Sequence, residues 1–105
     1  MIQTKINNAL QYFRPMNRKV NELKQAENEG LRHRQLKEKT YNYLIKQNKS
    51  VLTEAIFLNG KRADIVVLND FKVIEIVDSE NKESINNKRK TYPKQFEIEV
   101  KHVGE

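Results

Sequence analysis

The sequence predicts an α+β domain: a four-stranded mixed sheet flanked by helices, with a helical extension at its N-terminal end. Three observations lead there. Apolar residues recur at helical spacing through the first half, then gather in short runs at Val51–Leu58, Ile65–Leu68, Val73–Val77 and, more weakly, Phe96–Val100. Those runs are rich in β-favouring residues and bounded by turn signals such as Asn59-Gly60. A length of 105 residues suits one compact unit, which we divide into an extension over 1–30 and a core over 31–105.

Taken in order, Ile2, Ile6, Leu10 and Phe13 form an amphipathic helical stripe that Pro15 should end or bend. Met16, Val20 and Leu23 continue a similar stripe and predict a second helix up to about Gly30. Leu31 to Asn48 is rich in good helix formers and sets Leu36, Tyr43 and Leu44 on roughly one face. Tyr41 and Tyr43 fall on different faces. From Ser50 the period changes. Val51 to Leu58 and Arg62 to Leu68 read as a hairpin, Asn69-Asp70 as the next turn, and Lys72 to Val77 as the third strand. Asp78-Ser79-Glu80 supplies capping residues for a helix running to about Tyr92, which Pro93 stops. Phe96 to Val100 alternates and reads as a strand with one face in solvent.

Composition narrows the function classes. Twenty Lys and Arg against fourteen Asp and Glu give a net charge of +6, a surface that attracts polyanions. The absence of cysteine excludes a disulfide framework, a thiolate zinc site and a cysteine nucleophile. Among three glycines there is no phosphate-binding loop, and no serine sits in a nucleophile elbow. The start lacks the apolar core of a signal peptide, and no run is long enough to cross a membrane, so the expectation is a soluble, cytoplasmic protein.

Three carboxylates interrupt apolar strands: Glu54, Asp64 and Glu75. Asp is disfavoured in strands, and a buried carboxylate is costly unless paired or bound to metal. By alternation Asp64 shares a face with Val66 and Leu68, while Glu75 shares its face with Val73 and Val77. A hairpin about Asn69-Asp70 brings Asp64 and Glu75 to the same face, on strands about 4.8 Å apart. Both then reach one hard cation such as Mg²⁺ or Mn²⁺, with Glu54 joining from the neighbouring strand. Such a cluster suits hydrolysis of a phosphodiester. Ion pairs with Lys61, Arg62 or Lys72 at strand ends are the plainer alternative.

The stretch Glu54 … Arg62-Ala63-Asp64-Ile65-Val66-Val67 … Val73-Ile74-Glu75-Ile76-Val77 resembles the PD-(D/E)xK restriction-endonuclease-like nuclease superfamily, over roughly residues 31 to 100. The resemblance implies an Mg²⁺- or Mn²⁺-dependent endonuclease acting on DNA. Asp64 and Glu75 would be its metal ligands, Glu54 a supporting acid and Glu38 a further acid from the preceding helix. One position departs from the pattern: Val77 stands where the superfamily usually has lysine. Lys82, Lys88, Arg89 and Lys90 on the following helix are the replacements at hand, with Lys88 preferred because it lies three residues after Ile85. If none substitutes, the implied function becomes that of a catalytically degenerate module binding nucleic acid or a protein.

Lys88, Arg89, Lys90 and Lys94, with Tyr92 among them and Lys61 and Arg62 nearby, make a candidate phosphate-binding cluster in which the aromatic ring packs on a base or on lysine stems. Lys37, Lys39, Lys46 and Lys49 read as a solvated helix face, and His33 and His102 as surface residues. The stripe of Ile2, Ile6, Leu10 and Phe13 packs on its own domain, with a homodimer contact as the alternative.

Overall fold

The computed structural model describes residues 2–26, 29–78 and 82–104, with side chains described at all of these but 2 and 82–85. Helix α1 covers Ile2–Leu10, α2 Leu31–Lys46 and α3 Lys82–Thr91. The strands are β1 Val51–Ile56, β2 Arg62–Val67, β3 Lys72–Val77 and β4 Glu97–His102. They form one sheet in the order β1-β2-β3-β4. The first three are antiparallel neighbours, and β4 runs parallel to β3. A parallel neighbour needs a crossover, and the segment carrying α3 provides it. The α+β class and mixed sheet are therefore as the sequence predicts.

Local chemistry explains the turns. Gly60 takes φ of 90° in the β1–β2 connection, a conformation open to glycine without steric cost. Between β2 and β3, Leu68–Asp70 make a 3-10 turn, and Phe71 closes it with φ of 48°. Asn69 holds the turn from outside, its Oδ1 accepting the Ser50 N–H at 2.7 Å. The capping expectation at Ser79 and Glu80 falls outside the described residues.

Two apolar layers cover the sheet. On one face Val51, Ile65, Val67, Ile74 and Ile76 pack with Leu44 of α2. On the other, Leu52, Val66, Leu68 and Val73 pack with Ile6, Ala9 and Phe13. Aromatic rings consolidate this second layer: Phe13 stacks on Phe57 at 4.2 Å, and Phe96 meets both edge-on. Ile6 and Phe13 are thus spent on the chain's own core, which removes them as a dimer contact. Helix α1 is part of the fold's main layer, not an appendage to it.

The expected second helix is absent. Pro15–Asn17 form one 3-10 turn, and among the described residues no helix lies between Arg18 and Gly30. This segment covers the outer edge of β1 instead. Asn21, with φ of 60°, exchanges bonds with Val51 through its own N–H and side-chain Oδ1. Lys24 N–H donates to Thr53 Oγ1, and the Thr53 hydroxyl donates to the Glu22 carbonyl. Further along, Arg14 N–H donates to Ile56 and Leu58 N–H to Tyr12. A bare strand edge offers more unmet hydrogen bonds than a short polar helix gains, so the edge wins. On α2 the buried residues are Lys37, Thr40 and Leu44, while Tyr43 is 59% exposed, so the predicted face is rotated. Among the described residues no helix is long and apolar enough to cross a membrane.

Candidate functional site

The three strand carboxylates lie in one row across the sheet. Thr53 faces Ile65 and Ala55 faces Ala63, which sets Glu54 beside Asp64. Ile65 faces Ile74, and one further step sets Asp64 beside Glu75. At this row the ladder gives way to side chains. Asp64 N–H donates to Glu75 Oε2 at 3.3 Å, and Ile76 N–H donates to Asp64 Oδ2 at 2.8 Å. Carboxylates have replaced carbonyls as acceptors between β2 and β3. On β1, Glu54 adopts φ of 48°, a conformation that costs a non-glycine residue roughly 1–2 kcal/mol.

These breaks shift the alternation. Ala63, expected opposite Val66 and Leu68, packs in the same layer as they do, whereas Ile65 and Val67 pack in the other. The simple pleat therefore fails at Asp64, and its carboxylate does not share the face of Val66 and Leu68. It turns toward the start of α2, where Asp64 Oδ2 lies 3.7 Å from His33 Nε2.

Residues before and on α2 complete the site, and sequence reasoning passed over them. Glu29 Oε1 lies 3.5 Å from His33 Nδ1 and accepts from Lys37 Nζ at 2.9 Å. Lys37 Nζ also donates to Glu54 Oε2 at 2.9 Å, and Arg62 approaches Glu54 Oε1 at 3.8 Å. The Lys37 side chain is wholly buried and His33 is 19% exposed, so neither belongs to a solvated surface. Glu29, His33 and Lys37 recur every four residues, in line with buried Leu44; that helical stripe is the signal that could have found them.

Electrostatics mark the centre. Glu75 is buried, and its carboxyl is pushed up to about 8: first by burial, then by the Asp64 charge, then by a hydrogen bond shared with Asp64. The Tyr92 hydroxyl and the Asp64 backbone N–H act in the opposite direction. Tyr92 is buried against Phe57, bonds Glu75 Oε1 in a short contact, and lies 2.9 Å from the Arg62 carbonyl. This corrects the expectation that its ring faces a base or lysine stems.

The donor set suits a cation. One ligand atom each from Glu29, His33 and Asp64 lie within 4.8 Å of one another. Opposite ligands of an octahedral ion with bonds of about 2.1 Å are about 4.2 Å apart, so small side-chain movements close the difference. Among the described residues Glu29 Oε2 and His33 Nδ1 are buried without a hydrogen-bond partner, and the Glu29 side chain is only 7% exposed. An orphaned carboxylate oxygen at such depth is costly unless something binds it. Glu54, by contrast, has both oxygens facing cations, which fits a supporting role.

Basic residues border the row. Lys61, Arg62 and Lys88 line a cavity of about 330 Å³ with Thr91 and Tyr92. Arg62 also lines a second cavity, of about 540 Å³, with Glu54, Lys24 and Asn17. Arg89, Lys90 and Lys94 are exposed farther along, as is Glu38 on α2. No family model, no curated protein and no solved structure matches the chain. The site's own chemistry must carry the functional reading.

Proposed function

We propose that this chain is a divalent-metal-dependent endonuclease that hydrolyses phosphodiester bonds in DNA, on a sheet of restriction-endonuclease-like type. The observation that carries the reading is the pairing of Asp64 and Glu75 across a broken strand ladder, where burial and the Asp64 charge push the Glu75 carboxyl up to about 8. A pair of carboxyl groups whose charges repel can bind a cation in place of the proton, which is released to water. Asp64 and Glu75 would hold Mg²⁺ or Mn²⁺, with Glu29 and His33 adding the donors that the sequence reading lacked. When bound, the ion supplies charge neutralisation for the phosphate and acidifies a water.

The remaining roles belong to the chain. Glu54 and Lys37 form a buried pair that fixes the β1 side of the row. Lys37 also supplies positive charge inside the cluster, a better-buried alternative to Lys88 for the lysine missing at Val77. Lys61, Arg62 and Lys88 border the acids and would hold the DNA backbone, with Arg89, Lys90 and Lys94 extending the contact. The second reading, a degenerate binding module, draws on Val77.

Calorimetry with Mn²⁺ and cleavage of plasmid DNA separate the two. Wild type should bind the ion and cut. Asp64→Asn and Glu75→Gln should each lose cutting by a factor of 100 or more, roughly the scale of removing a charge-stabilising group, while keeping the folded spectrum. DNA binding unchanged in chelator, with neither ion uptake nor cutting, would favour the binding module. Cutting retained in both variants would remove the site assignment.

A further inference from the structure

The sheet has one covered edge and one open edge. Residues 12–24 bond along β1, whereas β4 pairs with β3 alone, and among the described residues no strand lies on its outer side. Glu97 N–H donates to the Phe71 carbonyl and Val103 N–H to the Val77 carbonyl, so the odd-numbered residues turn their backbone groups inward. Parallel pairing then directs the N–H and C=O groups of Ile98, Val100 and His102 outward. Beside this edge α2 leaves a groove of about 450 Å³, lined by Leu36, Tyr43, Val100 and Lys101, in which Tyr43 is largely exposed.

We propose that this edge joins a second copy of the same chain, β4 against β4 in antiparallel fashion about a two-fold axis at Val100. The argument is one of self-complementarity. Centred on Val100, the outward groups of Ile98, Val100 and His102 meet those of the partner's His102, the partner's Val100 and the partner's Ile98. That arrangement gives about six hydrogen bonds between copies. The pairs between them place Glu99 opposite the partner's Lys101 and Lys101 opposite the partner's Glu99, at the closer of the two cross-strand spacings.

The competing register is centred on Glu99. It satisfies the same backbone groups but sets Glu99 directly against the partner's Glu99, which is unfavourable. Charge therefore selects Val100. Charged residues on an edge strand ordinarily discourage pairing, but opposite charges two residues apart reverse that effect toward an identical strand running the other way. Lys72, 2.6 Å from Glu99, adds a cation without blocking the approach, because it belongs to the inner neighbour β3. The two-fold contact closes on itself and places the groove beside each β4 next to the symmetry axis.

The full chain should show a monomer–dimer equilibrium in sedimentation velocity. Lys101→Glu, which sets like charges across the axis, should weaken association by about tenfold or more. Glu99→Lys should do the same, and the double exchange Glu99→Lys with Lys101→Glu should restore the dimer. Circular dichroism checks that each variant is folded. A second measurement needs no variant: amide exchange at Ile98, Val100 and His102 should slow as protein concentration rises. Wild type that stays monomeric at every concentration overturns the proposal. A dimer indifferent to both single changes, or one whose exchange slows elsewhere, overturns it equally. The test does not involve the acidic row, so it stands or falls apart from the nuclease reading.

Discussion

Glu75 shows how a single carboxyl links stability to chemistry. Its proton is held to about pH 8 in the fold, against about 4.3 for an unfolded glutamate, because burial and Asp64 disfavour its charge. A raised carboxyl favours folding fully below the unfolded value, and that contribution is lost as pH rises through the folded one. The metal-free protein should therefore melt at progressively lower temperature between about pH 4.5 and pH 8, with this group's contribution level above that. Glu75→Gln keeps the neutral shape and should flatten the slope, melting higher than wild type at pH 8. Thermal denaturation in chelator over this range checks both. Addition of Mn²⁺ should reverse the order, since the ion favours the ionised wild-type carboxylate.

Helix α2 illustrates what is gained when an element carries charge into a core. Lys37 is wholly buried between Glu29 and Glu54, and removing it takes the nearest cation from both carboxylates. Lys37→Met should cost about 3–5 kcal/mol, the scale for breaking a buried pair from one side. Urea denaturation should reveal the loss, and the double change Lys37→Met with Glu54→Gln should recover part of it. This is also where the sequence was least legible. Glu54, Asp64 and Glu75 announce themselves as acids in apolar strands. Lys37 and His33 sit among so many polar neighbours that a solvated helix face was the natural reading, and Glu29 lies just ahead of the helix. What decides their burial is the sheet beneath them: the spacing of Glu29, His33 and Lys37 with Leu44 marks a shared face but does not say what covers it. The edge-covering segment from 18 to 26 hides for a related reason: Met16, Val20 and Leu23 have helical spacing, but Asn21 and Thr53 offer bonds across about 30 residues of sequence. β-Branched runs and Asn59-Gly60, by contrast, encode their structure locally, so the hairpin and β3 are legible in the sequence.

For the molecule as a whole, the N-terminal segment is structural. Phe13 is fully buried and its ring meets Phe57 and Phe96. Phe13→Ala should cost about 3–5 kcal/mol, measurable by the same urea titration. In a chain this short such a loss is a large share of the total stability. Tyr92, which bonds Glu75, packs in the same layer as Phe13, so the N-terminal segment helps to hold one end of the acidic row in place. On the proposed nuclease reading, a destabilised N-terminus should lower cutting through the folded fraction and leave the rate per folded molecule unchanged.

Coverage of β1 by residues 12–24 has one more outcome. Addition of strands to this sheet has a single direction in which to proceed, and two chains meeting there exhaust it. In the proposed dimer the same tether that replaces the expected helix makes association self-terminating, because among the described residues no further sheet edge stays open for edge-to-edge growth.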